Sequence, residues 1–338
     1  MSDTDTKALN DTSLAPPMRT RRQLPPNAKP VLVTLAIALG VFFIAYLRTD
    51  GSSLVLTQAL VSGLLAGGVY GLVALGLTLI FGVLHVINFA QGALVTLGMY
   101  VTYVVSSNLG WNPYLTLVIS VPVLFLFGAL IQKVIINRSM GEQHANTLLL
   151  TLALGLLIEN GLLLAFSGNP QSVRTGSETV YNIFGAVATQ SRLIAFFGAM
   201  LLAILLFIML QRTPTGTAIR AVASNPTGAR LVGINTSRIY VITFAIGAAC
   251  AGAAGTLVAP IVSITPVAGE VFNITAFVIV VLGGLGKVLG ALFGGLIVGL
   301  AEQFGGILFP DQSNLLGVFI VFVLILFLRP QGLFSNNS

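Results

Sequence analysis

The segment GSSLVLTQALVSGLLAGGVYGLVALGLTLIFGVL, residues 51–84, decides the fold because it is almost wholly apolar and carries no charged side chain. The uncharged stretch continues as far as Gln132. A helix crosses a bilayer with about 20 residues, so residues 51–132 are long enough for three crossings. The apolar residues are continuous rather than alternating, which favours helices over the strands of a β-barrel. We therefore predict an all-α polytopic membrane protein.

The composition of the whole chain agrees with this class. Of its 338 residues, 56% are hydrophobic and 8% are charged, and the mean hydropathy is +0.97. The formal net charge is +6, but the basic residues lie beside apolar runs, where they indicate topology rather than nucleic-acid binding. The single cysteine, Cys250, lies in an apolar segment and excludes a disulfide framework. We expect contact with membrane lipid, no nucleic-acid partner and no metal site.

Apolar runs and turn residues predict about eight to ten transmembrane helices, some of them short or broken. Residues 1–30 are polar and proline-rich, which is typical of a disordered cytoplasmic tail, and residues 31–47 are interpreted as an extra N-terminal helix. Residues 272–308 are interpreted as two short helices that meet near Lys287, with a single crossing as the alternative. The other spans are predicted at residues 54–84, 90–105, 114–136, 148–166, 193–210, 239–261 and 315–328.

The distribution of charge predicts that both termini lie in the cytoplasm. An excess of Lys and Arg marks the cytoplasmic side of a membrane protein. With ten segments, only Arg48, Arg174 and Arg192 fall on the outer side. The polar segment around Arg174 and Glu178 is long enough for a short external helix or flap.

The longest charged interruption between two apolar runs is the segment 212–238, which we call the arginine loop. Its four arginines are opposed by no acidic residue, which predicts a cytoplasmic position. Asn225 suits a helix N-cap, Pro226 the first helical position, and Gly233 the residue beyond the helix end. The loop is therefore predicted to hold a short capped helix, with a solvated connector as the alternative.

Polar side chains at membrane depth are few. His85, Asn88 and Gln91 form a cluster that either lines a solute path or makes an ordinary cytoplasmic turn. For Glu302, a functional or helix-pinning role and an interfacial position are both open, whereas Glu159 is expected at the interface. No catalytic or phosphate-loop motif is present, which argues against a membrane enzyme.

Small residues recur at four-residue spacing in two predicted helices. Such spacing lets helix backbones approach closely in lipid and predicts a tightly packed bundle. The residues are Gly63, Gly67 and Gly71 in one helix, and the pairs Gly290 with Gly294 and Gly295 with Gly299 in another.

Four ordered stretches resemble the branched-chain amino-acid ABC transporter permease family, the LivH-like subunits. They are FGVLHVINFAQGALVTLGMY, GTAIRAVASNPTGARLVGINTSRI, TPVAGEVFNITAFVIVVLGGLGKVLGALFGGLIVGLAE and RPQGLF. The resemblance covers residues 54–334 and leaves residues 1–47 unmatched. Gln91 stands where the family pattern usually has His, and Ala93 where it often has Glu.

This resemblance implies a transport subunit of an ATP-driven importer in the bacterial inner membrane. The implied partners are a second homologous permease subunit, two cytosolic ATP-binding subunits and a periplasmic solute-binding protein. The chain itself would bind no cofactor, because ATP would bind and be hydrolysed on the partner subunits. The implied solutes are branched-chain or other hydrophobic amino acids, with urea, short amides or other amino acids as alternatives. A stand-alone channel or ion-coupled carrier is the alternative of another class.

The resemblance also assigns roles to residues of this chain. The arginine loop would couple the permease to the ATPase, and Asn88, Phe89 and Gln91 are candidates for lining the solute path at the interface with the partner permease. The residues assigned to coupling are Arg220, Asn225, Pro226, Ala229, Arg230, Gly233 and Ile234.

Overall fold

The structure is a computed structural model that describes residues 44–49, 51–139, 144–173, 176, 178–309, 314–329 and 332–333. The predicted tail, residues 1–30, and the first part of the predicted extra helix, residues 31–43, lie outside the described residues. Residues 44–48 are helical.

The described part of the chain is mostly helical, with one β-hairpin. The helix α3 continues through a π-helical turn, Gln132–Ile136, into Asn137–Ser139. The hairpin consists of β1 (Val180–Ile183) and β2 (Ala186–Thr189). The helices are α1 (Ser53–Leu84), α2 (Gln91–Leu109), α3 (Leu117–Ile131), α4 (His144–Phe166), α5 (Gln190–Arg212), α6 (Pro214–Ser224), α7 (Pro226–Leu231), α8 (Thr236–Val258), α9 (Glu270–Gly283), α10 (Val288–Leu308) and α11 (Leu315–Leu328).

Seven helices among the described residues are long and apolar enough to cross a membrane, which confirms the predicted all-α polytopic class. They are α1, α2, α3 with its extension, α4, α5, α8 and α10. The helices α9 and α11 are equally apolar but have only 14 residues each. Residues 272–308 thus belong to two helices, α9 and α10, with the break at Gly284–Lys287 as predicted, but α10 has 21 residues and is not short.

The centre of the bundle is formed by α1 and α8. Within their most apolar windows, 78% of α1 and 83% of α8 is buried in the protein, against 28% for α4 and for α5. The helices α4 and α5 therefore lie at the outside of the bundle, whereas α1 and α8 pack against other helices on nearly all sides. The most extensive contact of α1 is with α10.

Glycines bring the backbones of α1 and α10 together. A Cβ atom added at Gly67 would lie 2.8 Å from the carbonyl oxygen of Gly295, and one added at Gly63 would lie 2.9 Å from that of Gly299. These distances leave no room for a side chain, so the predicted small-residue packing is confirmed for this helix pair.

The segment after Glu178 forms the hairpin, so of the two predicted alternatives, a short external helix or a flap, the described residues show no helix there. The turn residues Phe184 and Gly185 have φ angles of 52° and 89°, which match the tight turn that joins two antiparallel strands. The Gln58 side chain of α1 fixes β2, since its Nε2 donates to the Val187 carbonyl at 3.0 Å and its Oε1 accepts from the Val187 N–H at 2.7 Å. The neighbouring Arg174 lies outside the described residues.

Candidate functional site

The arginine loop is a chain of capped helices that joins α5 to α8. Each of three successive helices begins with a side-chain oxygen that accepts a backbone N–H. Thr213 accepts from Gly216 at 3.0 Å at the start of α6. Asn225 accepts from Gly228 at 2.9 Å in α7, and Asn235 accepts from the N–H of Arg238 at 3.0 Å in α8. These caps satisfy donors that would otherwise be unpaired, so the loop has a defined shape.

The predicted helix boundaries of α7 are confirmed. Pro226 is its first residue, and Gly233 follows its end with a φ of 86°. The N–H of Gly233 donates to the Arg230 carbonyl, and the N–H of Ile234 to the Ala229 carbonyl, each at 3.0 Å. This pair of bonds is a Schellman motif, which ends a helix at a residue in the left-handed region and redirects the chain.

Buried residues fix the loop to the bundle. Gly216, Ile219 and Val222 lie on the buried face of α6, and Ala229 is the buried residue of α7. A Cβ atom at Gly216 would collide with the carbonyl oxygens of the last turn of α5. The junction between α5 and α6 therefore has little freedom to bend.

The outward face of the loop combines positive charge with an apolar tip. Arg220 and Arg230 are exposed, and Leu231 and Val232 are 85% and 77% exposed. The Arg230 Nε donates to the Thr236 hydroxyl at 3.0 Å, which holds the guanidinium beside that tip. Apolar anchors surrounded by polar groups are typical of protein-binding surfaces.

The seven residues assigned to coupling thus lie together on one short, well-defined loop, but in two kinds of position. Asn225, Pro226, Gly233 and the buried Ala229 determine the shape of α7, whereas Arg220 lies on the surface of α6 and Arg230 on the surface of α7. Sequence reasoning missed Leu231 and Val232, although two adjacent apolar residues at the end of a predicted cytoplasmic helix were a usable signal. The coupling role itself stays a prediction.

The predicted path residues lie at the break between α1 and α2. Asn88 and Phe89 are within the break, and Gln91 is the first residue of α2. The helix α1 ends at His85, which has a φ of 56°. Asn88 and Gln91 are 1% and 0% exposed, and the Asn88 amide donates to the Gln91 Oε1 at 3.2 Å. Phe89 is 39% exposed.

The amides of this break connect several helices. Gln91 Nε2 donates to the Val73 carbonyl of α1 at 3.3 Å and to the Gly247 carbonyl of α8 at 3.4 Å. The Phe89 carbonyl accepts from Asn273 of α9 at 2.9 Å. In this conformation Asn88 and Gln91 bond to the protein itself, and their role in a solute path remains a prediction.

A cavity of about 220 Å³ lies among α1, α5, α8, α9 and α10. Its polar lining includes Tyr70, Arg192 and Glu302. Tyr70 and the half-buried Glu302 line it together. Glu302 thus lies at a cavity rather than on an open surface, whereas Glu159 is half-buried within α4. No group of three or more His, Cys, Asp or Glu residues within the described ranges could hold a metal ion.

These features define a multi-pass, all-α membrane protein with a structured basic loop at one end of its bundle. Over residues 59–328 the sequence matches the family described as branched-chain amino acid transport system, permease component. The match spans most of the chain, and the protein belongs to this family.

Individual relatives agree with the family. The chain is 31% identical over 295 residues to the high-affinity branched-chain amino acid transport system permease protein BraD of Pseudomonas aeruginosa, covering 82% of this chain and 95% of the relative. It is 28% identical over 297 residues to the corresponding LivH of Escherichia coli, with the same coverage. A probable LivH of Methanocaldococcus jannaschii is 32% identical over 270 residues, which are 76% of this chain and 82% of that protein. No solved structure matches the chain. By their names, these relatives are permease proteins of branched-chain amino acid transport.

Proposed function

We propose that this chain is the membrane-spanning subunit of an ATP-driven importer for branched-chain or other hydrophobic amino acids. The observation that carries the coupling part of the proposal is the arginine loop, in which a capped helix presents Leu231 and Val232 and is anchored to α5 and α8. The names of the relatives support the class of solute.

In this proposal α7 inserts into a groove on an ATP-binding subunit. Leu231 and Val232 supply the apolar anchor, and Arg220 and Arg230 meet acidic groups at its rim. When two ATP-binding subunits close on ATP, they move α7 as a rigid body. The α5–α6 junction and the cap at Asn235 pass this movement to two membrane helices, which favours one of two packed states.

The complete transporter would contain this chain, a second homologous permease subunit, two cytosolic ATP-binding subunits and a periplasmic solute-binding protein. It would lie in the inner membrane of a bacterium, with both termini of this chain in the cytoplasm. ATP would bind to the partner subunits and not to this chain.

The anchor is tested by the substitution Leu231→Ser in the complex purified in mild detergent. Burial of a leucine side chain is worth about 1.5–3 kcal/mol, so the variant should bind its ATP-binding subunits about 10- to 100-fold more weakly. Phe184→Ser is the matched control, because Phe184 is 93% exposed and precedes α5, at the end opposite to the loop.

Uptake of labelled leucine by cells tests the whole proposal. Uptake should require ATP and the ATP-binding subunits, and Leu231→Ser should reduce it. Uptake by the chain alone would instead identify a channel or an ion-coupled carrier. Retention of the ATPase by Leu231→Ser at the level of Phe184→Ser would refute the docking role of α7.

A further inference from the structure

The cavity among α1, α5, α8, α9 and α10 carries opposite charges within an apolar enclosure. Arg192 is the third residue of α5, directly after the hairpin, so it lies at the end of the bundle opposite to the arginine loop. Glu302 lies in the second half of α10. Both line the cavity, yet these two described residues do not form an ion pair with each other.

Tyr70 of α1 lines the same cavity as the two charged residues. A carboxylate within a membrane-spanning helix is costly unless it has a partner or a function. The neutral phenol of Tyr70 does not balance the charge of this carboxylate.

The rest of the cavity wall is largely apolar. It is formed by side chains from α1, α8, α9 and the segment after α8, including Val69, Val258, Ile261, Val262 and Phe272. The volume of about 220 Å³ is below the roughly 300–1,000 Å³ of pockets for drug-sized ligands. The enclosure therefore suits a small solute with one apolar part and two opposite charges.

We infer that this cavity is a binding site for a zwitterionic amino acid with an aliphatic side chain. The α-carboxylate binds the Arg192 guanidinium at the exposed mouth, and the α-ammonium binds the Glu302 carboxylate. The aliphatic side chain packs on the valines and Phe272. The inference rests on the proposed function, and it places a solute site within this subunit rather than at the interface with a second permease.

A purely structural role for Glu302 predicts a different behaviour. If the carboxylate serves only to hold α10 against α1 through Tyr70, then Glu302→Gln preserves that role, because the amide oxygen still accepts the hydroxyl proton. The same substitution removes the negative charge that an ammonium group requires. The structural role and the ligand-binding role of Glu302 are therefore distinguished by how binding depends on the charge of the ligand, and not by protein stability.

The test measures binding of L-leucine, L-leucinamide and 4-methylpentanoate to the full chain in lipid nanodiscs. L-leucinamide lacks the carboxylate and 4-methylpentanoate lacks the ammonium, so each should bind the unmodified protein about 10- to 100-fold more weakly than L-leucine. Glu302→Gln should weaken the binding of L-leucine by a similar factor and leave the affinity for 4-methylpentanoate unchanged. Arg192→Gln should weaken the binding of L-leucine and leave the affinity for L-leucinamide unchanged.

The control is Glu270→Gln, which removes an exposed carboxylate at the start of α9 and should leave all three affinities unchanged. Leucine affinity that is equal in Glu302→Gln, Arg192→Gln and the unmodified chain would overturn the site. In the complete transporter, ATP-driven leucine uptake that is unaffected by both substitutions would refute the site and preserve the proposed function. Charge-dependent leucine binding by a chain that retains no ATPase would support the site and refute the proposed function.

Discussion

The glycine contact between α1 and α10 gives a quantitative prediction about stability. A Cβ atom at Gly295 would lie 2.5 Å from both the Cα and the nitrogen of Gly71, and 2.8 Å from the carbonyl oxygen of Gly67. All three atoms belong to the backbone, so no side-chain rotation relieves the contact. To reach the lower limit of ordinary contact, 3.4 Å, the two helices must separate by 0.9 Å, the difference between 3.4 and 2.5 Å.

The substitution Gly295→Ala should therefore destabilise the protein. Overpacking costs about 1–3 kcal/mol, and this site should be near the upper limit, because a gap of ~0.5–1 Å forfeits a quarter to a half of each neighbouring van der Waals contact. Replacing glycine by alanine within a helix returns about 0.5–1 kcal/mol. The net loss in the free energy of unfolding should be about 2 kcal/mol.

Gly161→Ala is the matched control, because a Cβ atom at Gly161 in α4 meets nothing within 4 Å. It should leave stability unchanged or raise it by about 0.5–1 kcal/mol. Both variants are compared by denaturant unfolding in the same detergent, with retention of the folded monomer as the readout. Equal stability of Gly295→Ala and Gly161→Ala would refute the close packing of α1 against α10.

Three further predictions concern polar contacts and the arginine loop. Asn225→Ala removes the cap of α7, worth about 1 kcal/mol, so the amides of residues 228–231 should exchange hydrogen about fivefold faster. Asn225→Asp should keep the protection, and identical exchange in both variants would contradict the cap. Gln91→Leu leaves the buried Asn88 amide without its acceptor and should cost about 1–3 kcal/mol, seen as a lower unfolding midpoint in detergent; an unchanged midpoint would show that the bond is dispensable. Proline at position 233 cannot adopt a φ of 86°, so Gly233→Pro should abolish uptake while membrane insertion stays normal. Arg220→Glu reverses a surface charge and should have the same effect; normal uptake in both variants would refute the coupling role of the loop.

Local features of this chain could be predicted from its sequence because they depend on neighbouring residues. The cap at Asn225, the start of α7 at Pro226 and its end before Gly233 follow from the conformational preferences of those residues. The break near Lys287 follows in the same way from its flanking glycines. The spans themselves follow from length and hydropathy.

Features that depend on contacts between distant segments could not be predicted in the same way. The four-residue spacing indicated that glycines would pack, but the pairing of Gly67 with Gly295 depends on which helices meet. Tyr70, Arg192 and Glu302 come from three helices. Of the three, only Glu302 was a candidate functional residue from the sequence, because it is a carboxylate at membrane depth. The hairpin was missed although its turn, Phe184–Gly185, joins two short β-prone segments.

Site-specific photo-crosslinking tests the central claim most directly. A photoreactive amino acid is placed at position 231, at the tip of α7, or at position 184, in the hairpin, and the chain is coexpressed with its ATP-binding subunits. The account predicts a crosslink to an ATP-binding subunit from position 231 and none from position 184. Absence of that crosslink from position 231 in a transporter that imports leucine would contradict the account.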